Sequence, residues 1–592
     1  MPALSPPGTV LRSLFHSPVV FVILLALCLR GIYFVQVSDT VLWQWERWNQ
    51  SDMDTFLRVA RQIRDGDLLV REPYRPLHEW HLHLGTAEDW NAWTNPHAFY
   101  HIGGYYYLLA LLMKLTGGSL TAVKIIQMIL GAMHAALLSV IGTRLMGPLA
   151  GLIVGILAAS YGPLLVLEPA LLREGIGIFL STLSLYLVLR TSAPSSERSS
   201  PSVPAWLSAG LSLGVTALMK ETGFLLFGAI WLWTIARSSR LAWPSKMLAP
   251  VMLLLGFTLG LSPFIARNLV LGEPPLGSSP NLAVTFMVAN AADVPNSGVL
   301  FFEDAPSFKD ILRQSRARLL PTVELTLSTY KDQPARLLSH VWLKFSALWS
   351  NFEAPDIFSY DFTRLYLPLL DMLPRFVCVW IPALAGVLLW GIIRYRAGPS
   401  SLAEGLPFPP DVFGLVLVII GFQACFLVLP PIVMRYRIIL VPFLILIAGW
   451  MLAQGVHWFW HRRWTALSLW VCLLLAVTVT WEMWPMHPIL GRHNVRGNHF
   501  EIAAQIHVSD NDWSAARKEF DRGIAYFESS NQAERAMLLR RDRLLGFAEA
   551  GRVNEVLDDW QLLASLRPDD PVLAKVSEMR RAQLEEFERR SK

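Results

Sequence analysis

Apolar residues along this chain gather into long uninterrupted runs instead of alternating with polar ones at the period of a half-buried helix or strand. Runs long enough to cross roughly 30 Å of hydrocarbon cover residues 18–38, 120–145, 149–167, 174–191, 205–219, 222–237, 247–267, 372–394, 411–429, 433–455 and 464–484. Lipid offers the backbone no hydrogen-bond partners, so such runs predict helices that satisfy their own peptide groups. The expected fold class is all-α, a polytopic membrane protein with about eleven transmembrane helices. One further run, 99–116, contains Gly103-Gly104, His101 and three consecutive tyrosines, Tyr105, Tyr106 and Tyr107, and reads either as a crossing or as a helix lying on the surface.

The distribution of basic residues chooses between these readings, because short cytoplasmic loops carry an excess of Lys and Arg. If 99–116 lies on the surface, Arg144, Arg190 with Arg198, Arg237 with Arg240 and Lys246, Arg394 with Arg396, and His461 to Arg463 all share one side. The expected topology is then a cytoplasmic N-terminus (1–17), a membrane domain (18–484) with external loops 39–119 and 268–371, and an external C-terminal domain (485–592). Residues 1–16 precede the first run without a small-residue cleavage site, so that run is expected to be a retained span in the cell (inner) membrane.

The polar segments carry a different pattern. Ser51-Asp52-Met53-Asp54 opens a stretch in which Phe56, Ala60 and Ile63 recur at helical spacing, predicting a short amphipathic helix with its acids at the N-terminal end. In 268–371, external juxtamembrane helices are expected around 308–333 and 335–350, with Trp342 and Trp349 resting on the membrane surface. Glycines four apart (Gly210 with Gly214, Gly256 with Gly260) predict close helix packing. Residues 192–204, rich in Ser and Pro, read as a linker. Beyond 500 the chain turns charged, with a helix pair at 535–550 and 553–566, and Leu545-Gly546-Phe547-Ala548 resembles a tetratricopeptide-type repeat. Fewer than three repeats rarely stand alone, so this domain is expected to pack on the membrane part or on a protein partner through 500–592.

Composition narrows the function. With 592 residues that are 53% hydrophobic and 16% charged, the chain is not an ordinary soluble protein, and a net charge of +5 spread between spans does not imply nucleic-acid binding. All four cysteines lie inside apolar runs, and no Cys/His spacing of a metal site occurs.

Several motifs together resemble the GT-C glycosyltransferases, closest to the lipid-phosphate-sugar group that includes protein O-mannosyltransferases and lipid A aminoarabinose transferases. They are Asp52 and Asp54 after the first span, Glu168 through Arg173-Glu174 at the outer end of a span, and Lys220-Glu221 between two spans. Ser262-Pro263-Phe264-Ile265-Ala266-Arg267-Asn268 is similar to that group's exit from a span, and Met434-Arg435-Tyr436-Arg437 through Pro442 to its late R-Y-x-x-P segment. The resemblance implies an inverting hexosyl- or pentosyltransferase that takes a sugar from a polyprenyl-phosphate donor to an acceptor protein, lipid or glycan on the outer face. Asp52 would act on the acceptor hydroxyl, with Asp54 as its alternative, and Glu174 would hold the second acidic position. Arg173, Lys220, Arg267, Arg435 and Arg437 would receive the phosphate, Arg through its planar fork. Whether a divalent cation takes part is left open, since Glu174 stands where the family often has Asp. Two rival readings are a lipid or glycan transporter, which needs ionisable residues near mid-bilayer such as Arg30, and a scaffold acting through the helical tail.

Overall fold

The computed structural model describes residues 18–192, 202–238, 245–277, 279–294, 305–350, 352–395, 407–483 and 497–591. The readings placed on 1–17, on most of the 192–204 linker and on Arg198, Arg240 and Arg396 lie outside the described residues. Those residues are all-helical or irregular, without a strand.

The membrane part contains α1 (Pro18–Val37), α2 (Asp52–Arg64), α3 (Gly104–Leu115), α4 (Leu120–Met146), α5 (Pro148–Ser160), α6 (Glu174–Ser192), α7 (Val203–Met219), α8 (Thr222–Ser238), α9 (Ser245–Val270), α10 (Pro280–Asn290), α11 (Pro334–Leu348), α12 (Val377–Tyr395), α13 (Pro410–Leu427), α14 (Val441–Trp460) and α15 (Trp464–Glu482). Among the described residues, eight helices are long and apolar enough to cross a membrane. The apolar runs expected to give eleven spans include three that fall short of that standard. The run 149–167 divides into α5 and a short helix Gly162–Leu167, because Pro163 lacks an amide hydrogen and Tyr161 turns to extended backbone before it. α7 and α8 have 17 residues each, about 26 Å at 1.5 Å per residue. At their junction Lys220 is buried and Glu221 half-buried.

α14 is the central helix: the most apolar window of Met434–Trp460 is 94% buried, against 11% for α15 at the periphery. α7 and α9 touch along their lengths. A Cβ on Gly214 would meet Phe257 O and lie 2.8 Å from Gly260 Cα, and one on Gly210 would meet Leu253 O, so the glycine spacing does mark backbone-to-backbone packing. Arg30 in α1 pairs with Glu168 and donates to Ala26 O and Ala159 O at 3.1 and 3.3 Å. Gly131 leaves room for that carboxylate, since a Cβ there would collide with it. The intramembrane charge on which the transporter reading leaned is thus neutralised inside the bundle.

α3 rises about 18 Å over its 12 residues and packs on α2. Tyr105 and Tyr106 are fully buried, so their rings face protein. Tyr105 donates to Gln127 Oε1 at 2.7 Å, and Tyr107 donates to Leu68 O at 2.8 Å. The expected stretch 308–333 is two helices, Phe308–Ser315 and Leu319–Ser328, because Arg316 and Ala317 both take positive φ.

The tail holds α16 (Gly497–Ser509), α17 (Trp513–Ser529), α18 (Ala533–Glu549), α19 (Leu557–Leu566) and α20 (Pro571–Ser591). Its turns carry left-handed residues at Asn511, Asn531 and Gly551, 20 residues apart. That is about 40 residues per helix pair against about 34 in tetratricopeptide repeats, so the period departs from that resemblance. The tail docks beside the Asp52 loop: Arg47 donates to Asp510 Oδ2 at 2.5 Å, Tyr366 donates to Glu519, and Phe362 meets Phe500 edge-on at 5.0 Å.

Candidate active site

Asp52 is the first residue of α2, capped by Ser51, whose hydroxyl accepts from Asp54 N at 3.1 Å. The cap fixes where the helix starts and therefore where the Asp52 carboxylate points. Arg435 Nη1 donates to Asp52 Oδ2 at 2.5 Å, and His101 Nε2 lies 3.1 Å from Oδ1. Burial alone would raise the pKa of Asp52, but Arg435 and His101 hold its carboxyl well below the usual carboxylate range.

His101 is positioned from three sides. Phe56, one turn along α2 from Asp52, stacks on the ring at 5.0 Å, the backbone NH donates to Tyr106 Oη at 3.3 Å, and Asn281 Nδ2 lies 3.2 Å from Nδ1. These contacts turn the Nε2 edge of the ring toward Asp52. Asp54 points elsewhere and accepts from Arg58 Nε at 2.8 Å; burial raises its pKa, and Arg58 opposes the shift.

The structure gathers four of the other singled-out residues beside Asp52. Arg435 also pairs with Asp356, and its Nη2 lies 3.4 Å from Tyr436 Oη. Lys220 Nζ donates to Glu174 Oε1 at 3.0 Å and to Arg435 O at 3.4 Å. Arg173 Nη1 donates to Glu221 Oε1 at 3.1 Å. Arg267 and Arg437 are engaged differently. Arg267 donates to Leu69 O, Val70 O and His97 O at 2.8 to 2.9 Å and lies 3.9 Å over Phe99. Arg437 donates to Ser350 O at 2.6 Å, Phe352 O at 3.0 Å and Glu353 Oε2 at 2.5 Å. These two guanidinium groups hold loops.

Two cavities meet at this cluster. A groove of about 1000 Å³ has Arg173, Lys220 and Tyr436 at one end and Leu338, Val341, Trp342 and Phe345 along its length. On the other side, a cavity of about 870 Å³ is lined by Trp93, Asn95, His101, Arg267 and Glu273. Glu221, Leu282, Leu319 and Leu320 border both. Among the described residues no group of three His, Cys, Asp or Glu side chains is arranged to hold a metal ion.

Two members of this cluster escaped the sequence reading. Asp356 sits in the long loop 268–371 without a pattern to mark it, and His101 stood out only as part of the 99–116 run.

Residues 104–266 match the family model of dolichyl-phosphate-mannose-protein mannosyltransferases, a stretch that contains Arg173, Glu174 and Lys220 but neither Asp52 nor Arg435. No curated protein matches the chain. Two solved structures of the Archaeoglobus fulgidus oligosaccharyltransferase align with it. The form with zinc and sulfate is 11% identical, covers 78% of this chain and 51% of that one, and gives a TM-score of 0.36. The form tethered to an acceptor peptide containing the NVT sequon is 10% identical, covers 86% and 58%, and gives a TM-score of 0.38. The chain thus spans about half the length of the solved structures it aligns with. Through residues 104–266, rather less than a third of its length, this polytopic helical protein is therefore similar to the dolichyl-phosphate-mannose-protein mannosyltransferases.

Proposed function

We propose that this protein is an inverting glycosyltransferase that moves a hexose or pentose from a polyprenyl-phosphate donor to an acceptor on the outer face of the cell membrane. One observation carries the reading: a long apolar groove ends at Arg173, Lys220 and Tyr436, and behind that charged end stands Asp52, joined to it through Arg435. A polyprenyl chain suits the leucine and aromatic walls, and a phosphate suits the cationic end. The cavity beside His101 would take the acceptor. Asp52 accepts the proton of the acceptor hydroxyl while its oxygen attacks the anomeric carbon and the bond from that carbon to the phosphate oxygen breaks. Polyprenyl monophosphate departs, and the single displacement inverts the anomeric centre. The tail, on the same face as Asp52, would meet a protein partner through residues 500–592.

The test is turnover of a labelled polyprenyl-phosphate sugar by the purified protein in nanodiscs. Asp52→Asn keeps the side chain's shape but cannot take the proton, and should lower turnover by roughly 10²- to 10⁴-fold, while Asp54→Asn costs far less. Wild-type turnover by the Asp52 variant would remove the assignment, and the reverse ranking would move the base to Asp54.

A further inference from the structure

In the protein as described, the proposed base is already occupied. Asp52 faces the Arg435 guanidinium on one oxygen and His101 on the other, so neither oxygen is ready to receive a proton from an acceptor. Arg435 is itself shared, with Nη1 on Asp52 and Nε on Asp356, while among the described residues Nη2 has only the 3.4 Å approach to Tyr436 Oη.

The two carboxylates are anchored differently. Asp356 belongs to a loop tied to Arg435's own turn: Met434 N donates to Ala354 O at 3.0 Å, Arg437 grips Glu353, and Trp45 Nε1 donates to Ile357 O at 2.9 Å. Asp52 belongs to a separate helix and keeps a second partner, His101, if Arg435 turns away. A phosphate at the groove's charged end would meet Nη1 and Nη2 together, the pair of parallel donors that a guanidinium offers to two phosphate oxygens. Taking both exchanges the Asp52 and Tyr436 contacts for the phosphate and leaves Nε on Asp356.

We infer that Arg435 is a latch: it masks Asp52 until the phosphate of the lipid donor draws the guanidinium away, with Asp356 as the positioning residue that keeps the fork aimed. The inference rests on the proposed function and adds an order to it, donor before acceptor activation. A carboxylate freed in this way recovers the proton affinity that the cation had suppressed.

The experiment measures binding of undecaprenyl monophosphate to the full-length protein in nanodiscs. Asp52 and the phosphate compete for one guanidinium, so Asp52→Asn should tighten binding by roughly tenfold, the equivalent of one charge-assisted hydrogen bond. Asp54→Asn removes the same charge from the same helix without touching Arg435 and should shift binding less than about twofold, which separates competition from general electrostatics. Asp356→Asn should weaken binding, and Asp356→Glu should restore it. Equal or weaker binding by Asp52→Asn overturns the latch. A second measurement needs no variant: carbodiimide modification of Asp52 in the wild-type protein should rise several-fold when undecaprenyl monophosphate is added, and no rise overturns the latch as well. If the wild-type protein does not bind the lipid phosphate, the glycosyl-transfer reading itself fails, a result distinct from either outcome.

Discussion

Arg435 and Arg437 stand two residues apart, yet replacing them should give opposite phenotypes. Arg437 and Glu353 are buried to within 2% of full enclosure. Arg437→Ala removes the donors serving Ser350 O, Phe352 O and Glu353, and takes away a cation centred 4.0 Å over Phe376. Removing one partner of a buried ion pair costs about 3–5 kcal/mol, and the orphaned carbonyls add to it. The site would then fail indirectly, because the loosened loop carries Asp356. Arg435→Ala, at a cluster open to two cavities and rich in other charges, should leave the fold intact and abolish turnover. The assay is the fraction of each purified variant that remains monodisperse after heating in detergent, read beside turnover of the unheated protein. Arg437→Ala should lose heat resistance by several degrees, and Glu353→Gln in the same chain should return part of it, since an uncompensated buried carboxylate is then gone. An Arg437→Ala protein with unchanged heat resistance and no turnover would show that Arg437 acts on substrate and would refute the reasoning.

Three further outcomes are expected. Gly214→Leu should prevent recovery of monodisperse protein, because even its Cβ meets the backbone of α9, whereas Gly228→Leu, with nothing within 4 Å of that position, should be tolerated; equal recovery of both would sink the packing argument. Burial pushes the Lys344 ammonium, which donates to Ala289 O, Asn290 Oδ1 and Leu429 O, down to about 7. The unfolded chain then holds one proton more than the folded chain from about pH 7 up toward the ordinary lysine value, so stability should rise with pH across that window; Lys344→Met should flatten the rise, and an identical pH profile in both proteins would contradict it. Cysteines placed at Glu88 and Ser530 should both react with an impermeant thiol reagent in intact or outer-membrane-permeabilised cells while one at Arg144 does not; opposite behaviour of the first two would break the shared face.

The apolar runs announced most of the membrane helices because lipid forces the backbone to satisfy itself, and run length then maps onto helix length. Where Pro163 interrupts, length alone misled. The cationic motifs were visible as motifs, but the roles of Arg267 and Arg437 were not, since their partners are carbonyls such as Leu69 O and Phe352 O, which every residue possesses and no side-chain pattern marks. The tyrosine run read equally as a crossing or as a surface-lying helix, and nothing in its composition marks Tyr105 and Tyr106 as buried. What buries Tyr105 and Tyr106 is the meeting of α3 with α2, where Phe56 lies 4.9 and 5.0 Å from their rings. That contact depends on tertiary structure, and it also seats His101. Asp356 comes to Arg435 across 79 residues of chain, by way of a loop whose shape the Arg437 clamp determines.

The docking of the tail has a kinetic side. Its contacts with the Asp52 face include Phe500 enclosed against Phe362, while the Arg47–Asp510 pair is partly exposed to solvent, a kind of contact that two separate proteins would hold only briefly. Here both halves belong to one polypeptide, so their encounter is intramolecular and does not weaken as the protein is diluted. A ligand that grips α16 or α17 thereby gains leverage on the segment 41–47, only a few residues ahead of Asp52, without entering either cavity.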